Sequence, residues 1–164
     1  MDNYKKNKKL LLFYHSLLMS VIINLDQWSK FLIIEYSNKS FQIFLFLKII
    51  KVWNRGISFG IMHNIAYANI IFISLIMIII CFLLKITLDA LKNGSIKESI
   101  CLNFIIAGAI GNLIDRIRYG AVFDFIDFHI FDYHWPAFNI ADSFIVIGSI
   151  LLMFFNIFKK KSLI

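Results

Sequence analysis

The stretch IAYANIIFISLIMIIICFLL, residues Ile65–Leu84, contains no charged side chain. A helix crossing the hydrocarbon core of a bilayer needs about 20 predominantly apolar residues, and this run reaches that length unaided. Three similar runs surround it. Leu10–Leu25 follows a lysine cluster, Ser99–Ile114 comes third, and Phe138–Phe158 comes last, with Asp142 its one acid near the start. The uncharged cores of the first and third runs are short, and flanking lysines that snorkel to the interface extend them. The pattern predicts an all-α membrane protein with four transmembrane helices. It forms a single polytopic domain over 1–164, with spans at roughly 10–25, 65–84, 99–116 and 138–158. The extracytoplasmic segment 26–64 carries a small β or loop element.

Composition agrees. The chain has 164 residues, 60% hydrophobic and 16% charged; soluble domains run at roughly 45–50% and about 25%. A disordered chain and a large soluble enzyme are both excluded, so any chemistry sits in or beside the membrane. The excess of Ile and Phe, with plentiful Lys and Asn, matches AT-rich codon usage. That bias exchanges one apolar residue for another and does not create long uncharged runs.

The net charge of +7 reads as topology rather than nucleic-acid binding. Lys5, Lys6, Lys8 and Lys9 precede the first run, and Lys159, Lys160 and Lys161 follow the last. Four spans place both termini on one side. The Lys/Arg rule assigns them, with the Lys85–Lys97 connection, to the cytoplasm, against Lys30, Lys39, Lys48, Lys51 and Arg55 on the other side. The basic-then-apolar start also fits a signal peptide, but no A-x-A-like cleavage site follows, so an uncleaved first helix is expected. Cys81 and Cys101 lie in apolar runs without CxxC spacing and read as free buried thiols.

After the first span, Ser40–Val52 (SFQIFLFLKIIKV) is rich in β-branched and aromatic residues. It reads as a small sheet lying on the membrane or as an interfacial helix. Asn54-Arg-Gly-Ile-Ser-Phe-Gly60 follows, and its two glycines suit a tight turn or a close backbone approach.

A charge at the bilayer centre costs at least ~2.5–3.5 kcal/mol, so polar residues in or beside the spans are informative. They gather at the external end: Asp26 and Lys30, Asn54, Asn112 with Asp115 and Arg116, Asp124 and Asp127, Asn139 and Asp142. Ala107 and Gly111 form a small-xxx-small face for close helix packing. Asn112 and Arg116 share one helical face, and Asp115 beside Arg116 reads as a neutralising pair at a helix end. Asn139 suits an N-cap, with Asp142 at the capping-box position, which is a purely structural role.

Asp124 lies between Phe123 and Phe125, where desolvation raises a carboxyl pKa. Two carboxylates in a half-dry site share one proton. The ionised one takes a proton from water while the other donates to a scissile carbonyl. Such chemistry needs no Ser, Cys, metal or cofactor. His63, His129 and His134 lack HExxH-type spacing, and His15, alone in the first span, reads as a packed residue. On spacing alone, Asp127 and Asp132 compete with Asp124. A proton relay or small transporter, and a structural membrane subunit, are the rival functions. A relay would need polar residues through the full membrane depth, and the second span has no charge.

Taken together, Asp26-Gln-Trp-Ser-Lys30, Asn54-Arg-Gly56 with Phe59, Gly111-Asn-Leu-Ile-Asp-Arg116, Val122-Phe-Asp-Phe-Ile126 and Phe138-Asn-Ile-Ala-Asp-Ser143 resemble the bacterial lipoprotein signal peptidases (signal peptidase II). The likeness covers essentially the whole chain. Each motif alone is weak, and five in the family's order are specific. Ser58 departs from the family's usual Ala. The resemblance implies that Asp124 and Asp142 are an aspartyl catalytic dyad. It implies that Asn54, Gly56, Asn112, Arg116, Asn139 and Ala141 line the site, and that Asp26 and Lys30 are a support pair. The implied substrate is a prolipoprotein whose lipobox Cys carries diacylglycerol, cut just before that Cys. The setting it implies is the bacterial inner membrane, with a monomer meeting lipid and substrate, and with neither metal nor nucleic acid as partner. Asp142, near a helix N-terminus, is expected to be the ionised member of the pair.

Overall fold

The structure, a computed structural model, describes residues 2–37, 39–56 and 68–161. Ser58, Phe59, Gly60 and His63, and the start of the second apolar run, lie outside the described residues. The helices are α1 (Asp2–Tyr36), α2 (Ala68–Lys92), α3 (Ile96–Tyr119) and α4 (Ile140–Lys161). Each contains a stretch long and apolar enough to cross a membrane: Lys9–Tyr36, Asn69–Lys92, Ile96–Tyr119 and Ile140–Ile157. Strands β1 (Phe41–Phe44) and β2 (Leu47–Asn54) follow α1, while β3 (Val122–Ile130) and β4 (Tyr133–His134) follow α3. They form one antiparallel sheet in the order β1-β2-β3-β4. Both strand pairs follow odd-numbered helices, so they emerge at the same end of an up-down bundle and pair there.

Helix α3 packs against all three other helices. The outward residues of the bundle, among them Ile70, Ile78, Phe82, Ile150 and Met153, are exposed, as expected of side chains that meet lipid. Glycines set the closest helix contact. A Cβ at Gly148 of α4 would stand 2.7 Å from the Cys101 carbonyl oxygen and 2.9 Å from Ile105 Cγ1 of α3. Ala107 is fully buried, and Gly108 and Gly111, not Ala107 alone, let α3 approach its neighbours. The sheet sits on this bundle through Ile49, Phe123 and Phe125, against which Ile33 and Ile34 of α1 and Ile140 of α4 pack.

Several boundaries differ from the sequence reading. The first helix does not stop at Leu25. It carries Asp26 and Lys30 on to Tyr36, because these charges are one helical turn apart and pair at 2.8 Å. Helix α2 continues past Leu84 to Lys92, so the Lys85–Lys97 connection shrinks to Asn93-Gly94-Ser95, with Gly94 at φ 74. Helix α3 ends on Gly120, whose φ of 69 is left-handed and whose N–H donates to the Arg116 carbonyl. Ser40–Val52 takes the sheet form rather than the helical one, and the sheet is larger than expected because β3 completes it. Cys101 is buried, but Cys81 is exposed on the outer face of α2. His15 is packed as expected, with Nε2 2.8 Å from Ser99 Oγ.

The close α3–α4 contact leads to a prediction. Gly148→Leu forces overpacking at a site with no room for a Cβ, at a cost of about 1–3 kcal/mol. Thermal unfolding in detergent is expected to shift to lower temperature, and an unchanged Tm would contradict the contact.

Candidate active site

Lys30 is buried at the sheet end of α1. Its Nζ pairs with Asp26 Oδ2 at 2.8 Å and with Asp115 Oδ2 at 2.8 Å, and it donates to Asn112 Oδ1 at 3.3 Å. All three ammonium protons are thereby used. Both carboxylates also grip backbone. Asp26 Oδ1 accepts from the N–H of Ala141 at 2.9 Å, and Asp115 Oδ2 accepts from the N–H of Phe123 at 3.1 Å. Ala141 immediately precedes Asp142, and Phe123 immediately precedes Asp124. One buried cation therefore holds both segments that carry the candidate acids. Gln27 completes the cluster, its Nε2 within 3.2 Å of Asp26, Gly111 and Asp115 acceptors. A Cβ at Gly111 would lie 2.7 Å from Asp26 Oδ2, so this glycine makes room for the ion pair.

Asp124 and Asp142 meet across Asn139. Asn139 Nδ2 donates to Asp124 Oδ1 at 2.8 Å. Its backbone N–H donates to Asp142 Oδ2 at 3.2 Å, and its Oδ1 accepts the Asp142 N–H at 2.9 Å. The last two bonds are the reciprocal capping box expected at the start of α4. The same residue thus caps the helix and binds the second acid, so the structural role and the site role coexist. Each acid has a further amide partner. Asn54 Nδ2 donates to Asp124 Oδ2 at 3.1 Å, and Asn112 Nδ2 donates to Asp142 Oδ1 at 2.7 Å. The Gly56 N–H donates to Asn54 Oδ1 at 3.2 Å, which fixes which end of that amide faces Asp124. Burial and then the nearby Asp142 push the Asp124 carboxyl up to about 6, against the hydrogen bonds from Asn54 and Asn139 and the charge of Lys30.

The remaining candidates separate cleanly. Ala141 is fully buried and contributes its N–H. Asp115 pairs with Lys30, not with the adjacent Arg116. The Arg116 guanidinium instead lies over the Phe72 ring at 4.5 Å, and its Nη1 is buried without a hydrogen-bond partner among the described residues. Asp127 is buried beside His134 and His129, away from the Asn139 bridge. Asp132 is exposed. Neither competes with Asp124 for the place beside Asn139. Sequence reasoning missed Gln27 and paired Asp115 with its neighbour Arg116; the partner of Asp115, Lys30, lies on α1, and no local spacing links the two.

The ion-pair cluster yields a prediction about stability. Lys30→Met leaves Asp26 and Asp115 buried without their cation, and breaking such a pair costs about 3–5 kcal/mol. The variant is expected to fail to accumulate or to melt far below the parent. The triple variant Lys30→Met, Asp26→Asn, Asp115→Asn removes the stranded charges and should recover much of the loss. No recovery in its thermal melt would contradict the electrostatic account.

Residues 18–158 match the family described as signal peptidase (SPase) II. A lipoprotein signal peptidase from Anaplasma phagocytophilum (strain HZ) is 39% identical over 149 residues, covering 90% of this chain and 94% of that protein. One from Rickettsia prowazekii (strain Madrid E) is 43% identical over 145 residues, covering 84% of this chain and 72% of that protein. A solved structure described as a bacterial membrane enzyme superposes with a TM-score of 0.76 at 32% identity, covering 91% of this chain and 90% of that one. The fold, the polar cluster and these likenesses agree: the chain is a multi-pass membrane protein of the signal peptidase II family.

Proposed function

We propose that this chain is an aspartic endopeptidase that removes the signal peptide from prolipoproteins whose lipobox Cys carries diacylglycerol, cutting immediately before that Cys. The observation that carries the mechanism is the Asn139 bridge, which puts one residue in hydrogen-bond contact with both Asp124 and Asp142. In this reading Asp142, in the first turn of α4 and accepting two N–H donors, is the ionised member. Asp124, buried on β3 and raised by that burial and by the nearby Asp142, carries the shared proton. Asp142 takes a proton from water as the water oxygen attacks the scissile carbonyl carbon. Asp124 gives its proton to the carbonyl oxygen, forming a neutral tetrahedral diol. Collapse of the diol breaks the C–N bond. The proton on Asp142 passes to the departing nitrogen, and a diol hydroxyl returns a proton to Asp124.

Asn54, Asn112 and Asn139 orient the two acids, while Gly56 and Arg116 are assigned to the substrate backbone. Asp26, Lys30 and Ala141 position the segments that carry the acids. In this reading the protein sits in the bacterial inner membrane as a monomer, with both termini cytoplasmic and the sheet at the extracytoplasmic surface. A lipidated signal peptide lying in the bilayer then presents its cleavage site at the level of the acids. No metal or cofactor takes part in this hydrolysis.

The test is cleavage of a diacylglyceryl-modified prolipoprotein by the purified protein. Asp124→Asn and Asp142→Asn are each expected to lower turnover by at least ~10³-fold, about 4 kcal/mol of barrier, with normal insertion and abundance. Retained cleavage in either variant rules out the dyad. The pH dependence has a definite sign. Activity requires Asp124 protonated, so kcat/KM of the free enzyme should fall as pH rises through about 6. Stability shares that direction. The folded state holds the Asp124 proton to a higher pH than the unfolded chain does, so this group's contribution declines as pH rises from about 4 to about 6 and then levels off. A kcat/KM that instead climbs through this window would reverse the assignment of the two roles.

A further inference from the structure

Asp127, His129 and His134 form a second polar cluster that the proposed hydrolysis does not use. Asp124 and Asp127 are three residues apart on β3, so they project from opposite faces of the strand. His129 and His134 are cross-strand partners on β3 and β4. Their rings stack at 5.0 Å with an interplanar angle of 20°, and this brings both Nδ1 atoms to one carboxylate. His134 Nδ1 lies 2.8 Å from Asp127 Oδ1 and 3.0 Å from Oδ2, a contact that an ordinary His–Asp pair explains. His129 is different. Its Nδ1 is 3.8 Å from Asp127 Oδ2, beyond hydrogen-bond range, and it is buried without a hydrogen-bond partner among the described residues. A buried polar atom left unpaired costs free energy unless something binds it.

We propose that Asp127, His129 and His134 bind a first-row divalent cation, with Zn²⁺ the best match. Two imidazole nitrogens and a carboxylate oxygen are a donor set that Zn²⁺ favours, with water filling the remaining position. The three ligand atoms already lie within 4.8 Å of one another. Tetrahedral Zn²⁺ with bonds of about 2.0–2.1 Å needs them roughly 3.3 Å apart, a gap that small ring rotations close. The backbone is fixed for this purpose. The His129 N–H donates to the Phe46 carbonyl at 3.0 Å, which ties β3 to the β1–β2 turn. Gln42 Nε2 stands 3.2 Å from His129 Nε2 and also donates to the Phe44 carbonyl, which holds this side chain against the β3 ring. The ion would clamp β4 to β3. The chain then runs from β4 to Phe138, whose N–H and carbonyl pair with Ile126, and on to Asn139. The site therefore braces the approach to the acid pair without touching it.

The test uses full-length protein without a histidine tag, stripped with chelator in detergent and titrated with Zn²⁺ by calorimetry and with Co²⁺ by visible absorption. One equivalent of Zn²⁺ is expected to bind and raise the Tm, and Co²⁺ should give the d–d bands of a low-coordinate site. His129→Phe keeps a stacked ring and the Asp127–His134 pair, and should abolish the bands and the Tm rise. Absence of binding to the parent overturns the proposal. So does binding that is undiminished in His129→Phe, because the ion then sits elsewhere.

Discussion

Lys30 is enclosed between Asp26 and Asp115 at the sheet end of the bundle, and the geometry of the site depends on that enclosure. A lone ammonium or carboxylate would not persist in so dry a place. Each group is there because the other two are. The carboxylates do more than neutralise the lysine: their remaining acceptor capacity fixes the N–H groups of Ala141 and Phe123. These backbone points come from a helix start and a strand start, and each lies one residue before a candidate acid. The charge cluster thus converts helix packing into the relative placement of Asp124 and Asp142. Gly111 shows the steric side of this constraint, since even a methyl group there would press on Asp26.

Around this cluster the fold divides its work. Apolar helix faces toward lipid hold the protein in the membrane, and glycines bring α3 close to α4. The sheet covers the sheet end of the bundle and supplies Asp124 from β3 and Asn54 from β2. Asn139 joins the two halves because it belongs to a helix cap and reaches the strand acid as well. A cap residue has a backbone N–H and a short side chain free for other partners, so a helix entrance suits this double use.

Much of this was legible in the residues. Uncharged runs gave the four helices, since lipid leaves few alternatives for such segments. Asp142 and Asn139 were legible as a cap because the capping box is local. Asp124 and Asp142 as a pair, and Asp26 with Lys30, came from the family resemblance, and the structure brings both pairs into the same polar cluster. Other features depended on contacts between distant segments. The extension of α1 through Asp26 was hidden because a charge normally marks the end of an apolar run; here the charge is cancelled by a neighbour four residues on and by α3. The strand Val122–Ile130 was hidden because acids at 124 and 127 interrupt its apolar pattern. Asp115 was read with its sequence neighbour Arg116, whereas its partner lies on another helix. The grouping of Asp127 with two histidines arises from hairpin register, which spacing alone does not reveal.

In the proposed mechanism one carboxyl stays protonated beside one that is ionised. Infrared difference spectroscopy of the detergent-solubilised protein, titrated between pH 4.5 and 8 by choice of buffer and compared with Asp124→Asn, reads that proton most directly. The account predicts a protonated-carboxyl band that disappears with a midpoint near the value of about 6 set by the Asp124 environment and that is missing from the variant. A spectrum with no such band, or a band unchanged by Asp124→Asn, would contradict it.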